Sequence, residues 1–401
     1  MRWFICSAAA DACYPPQSCD IELLCRGFQE LGAECCMVSA GSRQPNKPVE
    51  SLHTDTRNLE SSAWWRALHL DGVVLFSDDS FQSHRVAKAI HDAGVFLVLP
   101  QDGNGVLSPL VGFDEWLEEQ WLLSGAWHSP SRWTHYAWRV LYGLTLDLMI
   151  HGPIRAECLA YADMIGCQTP AAIARYQNLC TYYGGADLAT RVRGVPYPVN
   201  PIFCYPEGWQ KACKIVVVHD SDHALFKRDS FLFAVIAELL HRDRWVELAL
   251  VGPITQEIEA WSHSLSAAQS ARLHVHGPLD KDALAGLFAS SQVGYCPCVY
   301  APHSHASAEA LCCGCSLVAA DSPHLPAFRW FAAQNAGCLA EDTVDGHVSA
   351  LIAELDAWSV GARDARQLSS TWGQTFYPNN VAWSIVQQAA CSPRHHHPVP
   401  A

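Results

Sequence analysis

The chain has 401 residues, half of them hydrophobic and 16% charged, with a formal net charge of −14. That length suggests two domains of ordinary size, and so apolar a composition excludes a disordered chain. An acidic balance without a long basic run argues against nucleic-acid binding and against docking on an anionic membrane, and no stretch approaches the roughly 18 apolar residues of a membrane span.

In chain order, RWFICSAA (2–9) predicts a strand, chosen over a weak signal peptide because of its alternation and the turn that follows. Ile21–Leu31 predicts a helix stopped at Gly32, Glu34–Ser39 a strand, and Asp71–Phe76 a strand followed by Asp78 and Asp79. Gln82–Ala93 predicts a helix ended by Gly94, and Val95–Leu99 the next strand. This is the rhythm of a doubly wound sheet. The Trp-rich stretch 113–150 predicts one or two amphipathic helices, and its Trp116, Trp121, Trp127, Trp133 and Trp138 are read as core at helical spacing, with sugar stacking as the alternative. Helices are expected over Ala156–Cys167 and Pro170–Tyr183. The proline-rich stretch 194–210 is the expected linker.

The rhythm then restarts: strands over Lys214–His219, Val246–Val251 and Leu273–His276, and helices over Asp229–His241, Lys281–Ser290 and Gly346–Trp358. The expected division is a Rossmann-like domain over 1–200, a second over 211–370, a helix over 371–391 returning to the first, and a disordered tail over 392–401. The 18 cysteines sit within apolar runs, which reads as reduced, buried thiols of a cytoplasmic protein.

The most informative segment is PCVYAPHSHASAEALC, Pro297–Cys312, continuing as CGCSLVAAD to Asp321. A strand ending near Tyr295, a proline-containing loop, a small-residue helix, Gly314 and a second strand (Ser316–Ala320) make a βαβ unit. Its one carboxylate, Glu309, stands near the helix start, beside the carboxyl end of the strand, where open α/β sheets bind ligands. The alternative for Glu309 is a carboxylate satisfied by the helix dipole.

This segment resembles the donor-binding region of family 4 glycosyltransferases, whose pattern runs P-S-x-x-E and then E-A-(small)-x-x-G-x-P-V-V. The matching positions are Pro297, Cys298 and Ala301, then Glu309, Ala310, Leu311, Gly314, Leu317 and Val318. LHVHGPLDKDALAGLFASSQVGYCP and NAGCLAEDTVDGHVSALIAEL resemble the flanking parts of that domain, and YADMIGCQTP resembles the strand before the linker. The resemblance implies an α/β protein of GT-B fold, with two Rossmann-like doubly wound domains facing a cleft. It implies a retaining glycosyl transfer that needs no metal or other cofactor, with a UDP- or GDP-linked sugar as donor and a sugar or glycan as acceptor.

By the same resemblance Glu309 would hold the ribose hydroxyls, and Lys227 or its neighbour Arg228 would stabilise the leaving diphosphate; a solvated basic pair is the alternative. Gln101 stands where relatives carry a histidine near the sugar, with an ordinary loop role as the alternative. Ala301 and Ala310 fall in the donor motif. His303 lies in the same loop with His305, and both also read as surface histidines. Three departures stand together: Ala301 replaces the first glutamate of the motif, Gln101 the histidine, and no arginine lies between Ile215 and Phe226. They motivate the alternative of a degenerate GT-B module working as a binding or partner subunit.

Other chemistries fit less well. Cys296-x-Cys298 and Cys312-x-x-Cys315 loosely resemble a zinc site, but they fall on a strand end and a helix end rather than two knuckles. The chain has no G-x-S-x-G elbow, no G-x-G-x-x-G after the first strand and no P-loop.

Overall fold

The computed structural model describes residues 1–7, 15–40, 51–77, 80–101, 103, 105–106, 108–125, 130–219, 228–243, 245–301 and 304–392, with no side chains for 15–19. The chain divides into two compact units, Met1–Pro198 with the segment from Tyr377 onward, and Val199–Phe376. Each is built on one parallel sheet among the described residues.

The first sheet contains β1 (Arg2–Ser7), β2 (Glu34–Ala40), β3 (Ser51–Thr54), β4 (Gly72–Phe76), β5 (Phe96–Pro100), β6 (Met164–Cys167) and β7 (Val192–Gly194), in the order β3-β2-β1-β4-β5-β6-β7. Apolar residues fill both faces, as a parallel sheet covered by helices on two sides requires. Phe4, Cys6, Val73 and Leu75 enter one core cluster, while Trp3, Ile5 and Val74 enter the other. Trp3 stacks on Phe28 at 4.8 Å. Val381 and Ile385 of the Pro378–Ala390 helix complete that second cluster.

The second sheet contains β8 (Ala212–Val218), β9 (Glu247–Val251), β10 (Leu273–His276), β11 (Ser291–Cys296), β12 (Ser316–Ala320) and β13 (Gly337–Ala340), in the order β10-β9-β8-β11-β12-β13. Its apolar face closes with Leu232, Val235, Ile236 and Leu239 of the Asp229–Arg242 helix. Both sheets reverse direction beside their first strand, between β1 and β4 and between β8 and β11, which creates two topological switch points.

Three local expectations change. The stretch 156–167 is not one helix: the helix runs Gly152–Tyr161, and Met164–Cys167 is a strand between β5 and β7. The Asp163 carboxylate takes the Leu97 amide at 3.0 Å, tying the break to the sheet, so ladder pairing overrides helical propensity. The stretch 371–391 is two helices, Ala365–Phe376 and Pro378–Ala390, because Pro378 lacks the amide a continuous helix would need. The proline-rich stretch 194–210 holds the boundary between the two units, after Pro198, and buries Val199 and Phe203.

The third concerns the Trp residues. Trp116 is core, but Trp133 and Trp138 are 58% and 59% exposed, and Trp127 lies outside the described residues. Their helix, Trp133–Tyr142, packs on the Phe113–Ser124 helix, and among the described residues none of its side chains is fully buried. Buried thiols are found as expected at Cys6, Cys25, Cys167, Cys180, Cys312, Cys313 and Cys315, whereas Cys204 and Cys391 are exposed, and the described cysteines form no disulfide. No helix among the described residues is long and apolar enough to cross a membrane.

Candidate functional site

The second domain's switch point lies at the carboxyl ends of β8 and β11. Beyond β11 the chain enters the loop carrying Ala301, whose amide donates to the His324 carbonyl at 3.2 Å. The helix His305–Cys312 follows, capped by Ser304, whose Oγ accepts from the Ser307 amide at 3.3 Å. Glu309 is half-buried in the second turn of this helix. Ala310 is fully buried beneath β11 and offers only a methyl group to packing. Gly314 ends the unit at φ +76°, and a Cβ there would come within 2.4 Å of the Ala365 carbonyl oxygen. Glycine is therefore required both by the left-handed turn and by the close approach of the Ala365–Phe376 helix. A small recess of about 40 Å³ lies between Val218, Cys296, Ser304 and Ser307.

Beyond β8 stands His219, buried, with Nε2 3.7 Å from Asp229. Arg228, at the head of the Asp229–Arg242 helix, pairs with the Asp342 carboxylate and lies 3.6 Å over the Phe231 ring. Asp342 in turn is 3.6 Å from His347 Nε2, and His347 Nδ1 hydrogen-bonds the Tyr295 hydroxyl at 2.9 Å. Arg228 is thus a member of a polar network behind the strand ends, a role its sequence position did not announce. Lys227 and His303 lie outside the described residues.

Burial pushes His347 down to about 4 from 6.5, against the opposing pull of Asp342. The unfolded chain therefore binds more protons between these two values, and stability falls as pH drops from 6.5 to 4. At 1.36 kcal/mol per unit the loss is at most about 3 kcal/mol. Urea midpoints at about pH 7 and pH 4.5 should differ in the native chain and converge in His347→Gln; an equal drop in both would remove His347 as the cause.

Gln101 follows β5 in the first domain. Its amide donates to the Gly166 carbonyl at 2.7 Å, and its side-chain Nε2 reaches the Leu99 and Pro100 carbonyls at 3.4 and 3.2 Å. It borders a cavity of about 370 Å³ that also exposes His84, Tyr142, Asp147, His151 and Arg155. These five were missed from sequence. The available signal was Asp147, His151 and Arg155 recurring every four residues through the otherwise apolar LDLMIHGPIR. Among the described residues no group of three or more His, Cys, Asp or Glu side chains is placed to hold a metal. Cys315 Sγ donates to the Phe288 and Ser291 carbonyls at 3.0 and 3.3 Å, and the free thiols of Cys296 and Cys298 share a hydrogen bond.

No protein-family model matches the chain, and no curated protein matches it. Solved structures do. Anabaena Alr3699/HepE in complex with UDP is similar at 12% identity and TM-score 0.60, over 98% of this chain and 100% of that one. The lipopolysaccharide outer core galactosyltransferase WaaB is similar at 14% identity and TM-score 0.59, over 98% and 99%. The UDP-forming alpha,alpha-trehalose-phosphate synthase of Burkholderia xenovorans, in complex with glucose-6-phosphate, is similar at 13% identity and TM-score 0.60, over 97% and 100%. At such identities the likeness carries the fold, and the fold is GT-B: two Rossmann-like α/β domains, each on a parallel sheet.

Proposed function

We propose that this chain is a family 4-type retaining glycosyltransferase that moves a sugar from a UDP- or GDP-linked donor to a sugar or glycan acceptor in the cytoplasm. The observation that carries the reading is the place of Glu309: a half-buried carboxylate in the helix that follows β11, at a switch point of a GT-B domain. A carboxylate accepts from two neighbouring hydroxyls at once, which suits the ribose of a nucleotide. Lys227 takes the leaving diphosphate, supplying fixed positive charge where negative charge develops. Arg228, held by Asp342, positions the start of the following helix. Ala301 and His303 belong to the donor loop in sequence, Ala310 seats its helix, and Gln101 borders the acceptor side. The reading assigns no resident cofactor. UDP is favoured over GDP because two of the similar structures are described with UDP or as UDP-forming.

A second reading is a GT-B module that binds a nucleotide or a protein partner without transfer. Ala301 favours it, since a methyl group cannot contact sugar hydroxyls as a carboxylate does.

Thermal-shift titration with UDP, GDP, ADP and their sugars tests the site. A ligand at 100-fold its Kd stabilises the folded state by about 2.7 kcal/mol. One nucleotide should raise the melting temperature of the native chain and leave Glu309→Ala unmoved. A flat response to every nucleotide from folded protein sinks the donor site. A nucleotide shift without sugar transfer to any acceptor favours the second reading.

A further inference from the structure

We infer that Cys296 and Cys298 are a redox-active dithiol, which a small oxidised disulfide of the glutathione class converts to an internal disulfide that shuts the nucleotide site. The shutting of the site rests on the glycosyltransferase reading above; the thiol chemistry does not. Cys296 is the last residue of β11, and Cys298 is the second residue of the loop that follows. Side chains two apart on an extended backbone fall on one face, and Pro297 between them stiffens that geometry by fixing its own φ. The two thiols share a hydrogen bond, and both are half-buried. The molecule supplies its own contrasts. Cys25 and Cys35 also share a hydrogen bond, but they are 0% and 3% exposed within the first domain's core. Cys312, Cys313 and Cys315 are fully buried. Cys296 and Cys298 combine a sulfur neighbour with access from outside, the two conditions of thiol exchange.

The exchange runs in two steps. The hydrogen bond to Cys298, and then burial, hold the Cys296 thiol protonated, so Cys298 attacks first. Its thiolate bonds one sulfur of the small disulfide and expels the other half, which leaves as a thiol with the proton that Cys298 gave up. Cys296 then attacks the Cys298 sulfur and expels the second half with its own proton. Two protein S–H bonds are lost, one S–S bond passes from the small molecule to the protein, and two small thiols depart. A ring closed between residues two apart is short and strained, and strained disulfides are the ones that reducing thiols reopen. Such reversibility is what a disulfide needs in a reducing compartment. The position gives the bond its effect. Cys296 borders the recess that also touches Ser304 and Ser307, which cap the helix carrying Glu309. Between Cys298 and that cap, the Ala301 amide is tied to the His324 carbonyl at 3.2 Å. Joining the two sulfurs draws the start of the loop toward β11 and displaces both the tie and the cap.

The test equilibrates the full chain in glutathione buffers from fully reduced to fully oxidised, quenches it in acid, unfolds it and labels free thiols with N-ethylmaleimide. Peptide mass spectrometry should find Cys296 and Cys298 joined and unlabelled in oxidised buffer, and labelled after dithiothreitol. Cys25 and Cys35 should label throughout, while the exposed Cys204 and Cys391 take up glutathione singly. Cys296→Ser should retain one glutathione on Cys298, the product of the first step. UDP titration of the same samples should show binding at least about ten-fold weaker in the oxidised native chain, restored by dithiothreitol, and no oxidant effect in Cys298→Ser. Full labelling of both thiols in every buffer, glutathione retained on Cys298 of the native chain, or a disulfide that leaves a measurable UDP affinity unchanged would each overturn the inference. The native chain alone decides if a variant fails to fold. Disulfide formation with no UDP binding in either state removes the donor site but keeps the redox pair, whereas UDP binding with no disulfide does the reverse.

Discussion

Replacing Glu354 by alanine is expected to destabilise the second domain by about 3–5 kcal/mol, the cost of stranding one partner of a buried ion pair. Glu354 is 2% exposed and Arg363 is 11% exposed. Their contact is bidentate, with Nε to Oε1 at 2.6 Å and Nη2 to Oε2 at 3.0 Å. Arg363 also donates to the Asn335 side chain at 2.7 Å. One guanidinium therefore joins the Val344–Ser359 helix, the turn before β13 and the approach to the Ala365–Phe376 helix. That last helix packs against the one carrying Glu309, and the Ser369 hydroxyl donates to the Cys312 carbonyl. Loss of the pair should accordingly weaken nucleotide binding as well as the fold. Hydrogen exchange in peptides of the second domain reads the local free energy. The double variant Glu354→Leu with Arg363→Met should recover most of the loss, since two apolar groups leave no buried charge. A single-variant cost below about 1 kcal/mol would show that Arg363 finds water instead.

Stability is also expected to collapse on the alkaline side. Burial pushes the thiols of Cys6, Cys180 and Cys338 up to about 12 from 9.0. Cys167, Cys312 and Cys313 are raised further, again by burial first. Below pH 9 these groups are neutral in both states and cost nothing. Above it the unfolded thiols ionise while the folded ones do not, so the unfolded state binds fewer protons and stability falls with rising pH. Each thiol contributes about 1.36 kcal/mol per pH unit. Three of them remove about 6 kcal/mol by pH 10.5, a large share of the 5–15 kcal/mol typical of a domain. Lys211 opposes the trend: its ammonium is buried against the Phe288 and Cys313 carbonyls, and burial lowers its pKa. One group does not offset several. Urea midpoints under reducing conditions at about pH 8 and pH 10.5 should differ sharply, and Cys6→Ala should reduce the slope. Equal midpoints would mean the thiols ionise in place.

Much of the architecture was legible because apolar runs and glycine stops are local signals. Asp71–Phe76, Lys281–Ser290 and Ser316–Ala320 carry their structure in their own residues. Met164–Cys167 does not. Four residues at the end of a helical pattern become a strand only because β5 and β7 offer ladder partners on both sides. Trp133 and Trp138 lie five residues apart, so they do not share one helix face, and both stay exposed although large apolar residues in a helical stretch read as core.

The same division holds for the candidate sites. The place of Glu309 in the fold was legible because the βαβ unit is contiguous in sequence, so its position on the helix after β11 follows from order alone. The pairing of Arg228 with Asp342 spans 114 positions, and the first-domain cavity gathers Gln101, Asp147 and Arg155 from segments that only folding brings together. Two Rossmann-like domains and one carboxylate at a switch point could be read from the residues in order, since apolar runs and helix starts are short-range chemistry. Which charges are paired and which polar groups share a cavity emerged only on folding, because both depend on burial and on distances between residues far apart in the chain.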